Sequence, residues 1–468
     1  MNRTRLSVGQ GAGLASVVAV NLVPVVGVAA FGWSLASLLA LYWFEAVSTS
    51  LVAAAKALFA ERASADEGVR LNPLSELREK RGGVRIRPGW PRAYVRNVPF
   101  AAGIVSTSTL LLAGYGFALT AELSIRPTDA FSTGVLLSAG GLLLARIVEF
   151  RVEYLGRAEY ADTSARTIAA APARQVLFLT LIASIAAVLE GREGGVVLLV
   201  GVVAAKTLSE SYGFYAEHLD RSPGRVGRWL LGPRDASDPP PTVEMPDDDP
   251  RIRVRTDSKA VLLGAFAPLA SGLLSRPGYV GAVLAAAGVL ALGPAVVAVA
   301  VGLLTVVAAA KVGSYYLRYG TVEYQRRGDR IVAYDVALGE PQWAVDADEV
   351  DDVSVRNRIS DRLLGTTTVE LSGVESAGRS ALEIGPVDDF HRVAEAFGLP
   401  VNDASHPETN RRAVVVALAL AACFLAVPAG LFVAPGVAAG TAVAVTFLLS
   451  PFVLLVVGAL VGEALSLL

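Results

Sequence analysis

The sequence predicts a polytopic α-helical membrane protein of about ten transmembrane helices, with a small β-rich domain inserted before the last helix pair. Three observations predict it. Apolar runs close to the ~20 residues needed to span ~30 Å of hydrocarbon fill most of the chain. From about Gly320 the apolar pattern changes to period two. Two further long apolar runs follow that segment. The composition agrees, with 53% hydrophobic and 18% charged residues. An average soluble chain has about 45–50% apolar and about 25% charged residues.

Six runs build the N-terminal part, read as a six-helix bundle over 1–219. They pair as 11–31 with 34–59, 98–121 with 132–152, and 175–189 with 195–216. The first run follows Arg3 and Arg5 and resembles a signal peptide, but the second follows so closely that an uncleaved hairpin is expected. Residues 61–97 hold nine Arg/Lys and five Asp/Glu, whereas the loops near Arg126 and Arg192 are short and poor in basic residues. The positive-inside rule then places the N-terminus and the long loops in the cytoplasm.

Residues 220–258, with Pro239-Pro240-Pro241 and Asp247-Asp248-Asp249, read as an extended cytoplasmic linker that cannot build a core. A second apolar region, 259–318, is broken at Arg276-Pro277-Gly278 and Gly293-Pro294. Two crossings are expected there; three would put the following domain outside. That domain, 319–402, begins with Thr321-Val322-Glu323-Tyr324-Gln325, a turn at Arg327-Gly328-Asp329 and a strand at 330–336. Strands near 342–345, 350–355, 366–371 and 381–384 follow, then a helix over 388–397 with Asp388 as N-cap and Gly398 as C-cap. Ser376 falls between two of these strands, where a cysteine would serve as a probe of accessibility. The last helix pair occupies 411–466, preceded by Arg411 and Arg412. The expected location is the cell membrane, multi-pass, with the N-terminus, the C-terminus and the β-rich domain cytoplasmic.

Tyr315-Tyr316-Leu317-Arg318-Tyr319 and the motif from Asn357-Arg358 through Leu364-Gly365 to Leu371 carry a resemblance. Together they resemble the bacterial pleckstrin-homology-like (PH-like) domains of YdbS-type membrane proteins, over about 260–400. The resemblance implies a partly open barrel capped by one helix, two helices before the domain, and no general catalytic residues. Asn21, Pro24, Trp33, Tyr42, Trp43 and Glu45, with Lys206, Thr207, Glu210 and His218, resemble a six-helix prokaryotic membrane family whose activity is unknown. That family tends to have a histidine-rich third helix, whereas the third run here, 98–121, holds no histidine.

Intramembrane charge marks the candidate polar site: Glu45, Lys206, Glu210 and Asn21. Ionised groups in hydrocarbon are expensive and must face a partner, a bundle interior or water. Lys206 and Glu210 are four residues apart, which allows an ion pair, and Glu149 lies beside Arg146 and Arg151. Two readings stand: a pocket for an ion, proton or headgroup, or ion pairs that lock helices in register. Arg326, Arg327 and Arg330 flank the first hairpin and are candidate lipid-headgroup contacts, although a solvated turn is the commoner use of such residues. The acidic run 346–352 reads as a solvated loop.

Other chemistry finds no support in the residues. A net charge of −2 gives no polycation for nucleic acid. The single Cys423 excludes an internal disulfide, and His218, His391 and His406 show no ligand spacing. Without a phosphate loop, nucleophile elbow or zinc motif, no cofactor, metal or catalytic residue is expected. The expected partners are the lipid bilayer and other membrane proteins reached through the PH-like domain. The expected role is non-enzymatic, coupling the bundle to that domain; the alternative is a transporter or channel using Glu45, Lys206 and Glu210.

Overall fold

The computed structural model describes residues 34–64, 72–117, 133–169, 199–208, 238–273, 275–292, 295–356, 358–376, 382–400 and 411–466, with a few isolated positions beside them. The chain divides into two units, 1–67 with 84–240, and 68–83 with 241–468. Among the described residues, five helices are long and apolar enough to cross a membrane. Most of the first and fifth expected helices lies outside the described residues.

In the first unit, α1 (Leu35–Phe59), α2 (Val98–Phe117) and α3 (Thr133–Glu149) pack together with the helical residues 199–208. Ser34 caps α1 by accepting from the Ser37 N–H at 3.2 Å. Ala53, Ala54, Ala57 and Ala60 meet Ala101, Ile104 and Ala165 in one core patch. Small side chains let backbones approach where lipid offers no hydrophobic drive for association. Asn97 Nδ2 donates to the Ala60 carbonyl at 2.7 Å and satisfies the buried end of α1.

The second unit begins its sheet before its helices. β1 (Ile252–Arg255) pairs antiparallel with β2 (Val322–Arg327), in register Ile252↔Arg326 to Arg255↔Glu323. The end of the segment read as linker is therefore a strand. Between the two strands lie α4 (Ser258–Gly264), α5 (Phe266–Leu273), α6 (Arg276–Leu292) and α7 (Ala295–Tyr319). Asp257 caps α4 through the Ala260 N–H at 2.7 Å. Val261 and Ala265 pack on Tyr315 near the end of α7, whereas Ala286 and Val289 pack with Val297 near its start. The α4–α6 arm thus runs antiparallel to α7. Because β1 and β2 share a sheet, the arm and α7 must leave and return on one side of any membrane. One broken outward arm and one return helix meet that condition.

β3 (Arg330–Asp335) and β4 (Glu340–Asp346) complete the first sheet in the order β1-β2-β3-β4. β5 (Asp352–Arg356), β6 (Thr366–Ser372) and β7 (Leu382–Asp388) form a second. Ile331, Trp343, Val369, Leu371, Ile384 and Phe397 fill the core between the sheets and α9 (Phe390–Phe397). Its N-cap is Asp389, one residue later than expected, because Asp388 still belongs to β7. Gly398 ends α9 at φ +67°, as the sequence indicates. A short helix the sequence reading omits, α8 (Ile359–Leu364), bridges β5 and β6 and stops at Gly365. Two long helices close the unit, α10 (Arg411–Val433) and α11 (Ala439–Ser466).

Phe397 is fully buried in this core. Phe397→Ala is expected to destabilise the domain by ~3–5 kcal/mol, the usual cost of emptying an aromatic site. Thermal unfolding of the detergent-solubilised chain would measure it.

Candidate functional site: two charged networks

The first network lies among the helices of the N-terminal unit. Lys206 Nζ donates to both carboxylate oxygens of Glu45, at 2.7 and 2.8 Å. Arg146 stands 3.7 Å from the same carboxylate and 2.9 Å from Glu149. Lys56 reaches Glu149 at 2.8 Å, and its carbonyl accepts from the Tyr154 hydroxyl at 2.8 Å. Glu45 and Lys56 are eleven residues apart on α1, so the ladder extends ~16 Å along it. Alternation of sign lets each carboxylate sit between cations, which offsets part of the desolvation cost.

Several partners differ from those the spacing points to. Lys206 bonds Glu45 across helices, and Glu210 and Asn21 lie outside the described residues. Glu149 takes Arg146 as expected, but its second cation is Lys56, while Arg151 stands 5.9 Å over the Trp90 ring. Lys56 escaped notice because a lysine near a helix end reads as an interface charge.

The second network lies in the second unit and is organised by residues 72–83, which the sequence presents only as part of a basic loop. Lys80 is buried and pairs with Asp335, which is completely buried. Its ammonium also donates to the Leu317 carbonyl and, at 2.8 Å, to the Thr321 hydroxyl. Glu76 bridges Lys311 and Arg318, at 2.9 Å from each, and Glu79 meets Arg318 at 2.6 Å. Lys311, Ser314 and Arg318 form one face of α7, three and four residues apart. The signal available in the sequence was this polar stripe at the end of an apolar run. A cavity of about 150 Å³ adjoins this network, lined by Glu79, Lys80, Tyr319, Gln342, Trp343 and Glu383 among others.

The hairpin arginines are engaged inside the domain. Arg326 donates to the Gly328 and Phe397 carbonyls. Arg327 donates to Gln325 at 2.8 Å and to the Asp248 carbonyl at 2.9 Å. Arg330 pairs with Asp346 at 2.7 Å, and that hydrogen bond holds its pKa above the ordinary guanidinium value. Asp346 thus belongs to an ion pair, and among the described residues no cluster of acids, histidines or cysteines could hold a metal.

Arg358, in the Arg-to-Leu-Gly motif, docks the domain on the end of α7. It donates to the Tyr315 hydroxyl at 3.1 Å and to Glu383 at 2.6 Å. Burial opposes its charge, but Tyr315, Glu383 and Tyr319 outweigh that and hold its pKa above the usual value. Residues 265–399 match the bacterial PH domain family. The motif around Arg358 and Gly365 lies inside that span, whereas β1 precedes it. Residues 4–225 match a family of unknown function, DUF6498. No curated protein and no solved structure matches the chain.

The Glu45–Lys206 contact yields a test. Lys206→Met is expected to lower stability by up to ~3 kcal/mol, since among the described residues it leaves a half-buried carboxylate with the more distant Arg146 as its cation. Adding Glu45→Gln should recover part of that loss. A double-mutant cycle on thermal unfolding in detergent would read the coupling.

Proposed function

We propose that this chain is a non-enzymatic integral membrane protein that holds a PH-like interaction domain at the cytoplasmic face and couples it to the N-terminal helices. The observation that carries the reading is the pairing of β1 with β2 across the α4–α7 segment. It supports an even number of crossings and a domain seated at the surface where α7 ends. The basic residues before α4 and α10 support the cytoplasmic side. Arg358 and the 72–83 segment support a domain that reports on α7, because both bind that helix directly. The closed ion pairs around Glu45 favour a structural role for the intramembrane charges over a transport pathway.

Accessibility tests the reading. Ser376 is a poor probe, since it is buried and its hydroxyl bonds the Ala344 backbone. Asp247 and Asp348 are exposed. In a Cys423→Ser background, Asp247→Cys and Asp348→Cys are both expected to resist an impermeant thiol reagent in intact cells and to react after permeabilisation. Labelling of either in intact cells would overturn the cytoplasmic placement. In proteoliposomes, a proton or ion flux abolished by Glu45→Gln would favour transport instead.

A further inference from the structure

Residues 72–83 are held as a bound peptide is held. Gln342 addresses both backbone groups of Arg81: its Oε1 accepts the N–H at 2.8 Å and its Nε2 donates to the carbonyl at 3.1 Å. The buried Ser314 hydroxyl donates to the Pro73 carbonyl at 3.0 Å. Such backbone contacts give a grip independent of side-chain identity. Two side chains then supply selectivity. Lys80 enters the closed site formed by Asp335, Thr321 and the Leu317 carbonyl, and Glu76 lies between Lys311 and Arg318. Gly82, at φ +94°, completes the fit: a Cβ there would stand 3.0 Å from the Glu340 side chain.

The receiving surface is ordered by bonds of its own. Asp335 accepts from the Leu338 N–H at 2.8 Å and the Thr321 hydroxyl at 2.7 Å. Lys311, Ser314 and Arg318 are fixed by the helix that carries them. Within 72–83 the buried apolar side chain is Leu77, so charge and hydrogen bonds dominate the grip. These are contacts that a second peptide carrying the same backbone and charge pattern can compete for.

We propose that the face made by Lys311, Ser314, Arg318, Thr321, Asp335 and Gln342 is a peptide-recognition site of the PH-like domain. It reads an acidic residue followed four positions later by a lysine. Residues 72–83 are its resident, displaceable ligand, supplied by the loop of the N-terminal helices. This rests on reading the domain as an interaction module, but not on the side of the membrane it faces.

The test uses the full chain in detergent, with residues 73–81 replaced by a Gly/Ser stretch of equal length, and a synthetic fluorescent peptide of sequence 72–83. Saturable binding is expected. Glu76→Gln or Lys80→Met in the peptide, or Gln342→Ala in the protein, should each weaken it at least about tenfold. Absence of binding by a chain that still unfolds cooperatively would overturn the proposal, as would binding indifferent to Lys80→Met. If the replaced chain does not fold, hydrogen exchange on the wild-type chain decides. Amides of 74–81 should exchange at least about tenfold faster than those of β3, and faster still with excess peptide. Equal protection of both would overturn it. The cysteine labelling described above fails or succeeds separately, so the two readings remain distinguishable.

Discussion

The backbone ladder between β1 and β2 is the constraint on which the second unit depends. Strand pairing is short-ranged, with neighbours about 4.8 Å apart. Two segments separated by four helices can meet in it only if those helices bring the chain back to its start. The pairing therefore fixes three things together: the return of the four-helix segment to its starting point, the closeness of the domain to the end of α7, and the covering of the β2 edge by β1. Arg358 reinforces it from the other sheet by bonding Tyr315 on α7 and Glu383 on β7.

Charge organises both units, and in each it is placed between secondary-structure elements. Glu45 and Glu149 draw cations from three helices, and Asp335 and Glu76 draw theirs from a loop and from α7. In low dielectric such pairs contribute little net stability compared with well-packed apolar residues. Their physical value lies in direction: a carboxylate flanked by cations from named helices admits few alternative registers. The apolar part of a helix such as α10 lacks that information, since an exposed Leu420 would meet lipid equally well in many rotations.

Local patterns were readable in the sequence, and long-range partners were not. The strands at 322–327 and 330–335, the turn at Gly328 and the end of α9 at Gly398 follow from alternation and glycine placement, which are local. Glu45 and Lys206 were singled out individually because charge in an apolar run is conspicuous. An ion pair of Glu45 with Lys206 was one of the two readings of these charges, and the structure brings the two groups together across 161 positions, whereas spacing alone offered Glu210 as the nearer partner of Lys206. β1 was hidden by its setting, four residues of alternating Ile-Arg-Val-Arg behind a run of prolines and aspartates. Residues 72–83 carry no periodic signal, so their destination became visible only when Asp335 and Gln342 were placed beside them.

The position of β1 also determines where the domain ends as a physical object. A fragment starting at Gly320 would carry the period-two segment intact yet lack the strand that covers β2. The β2 edge would then present unpaired N–H and C=O groups along Val322–Arg327, a template for a second copy. Self-association of such a piece would reflect a missing strand four helices upstream.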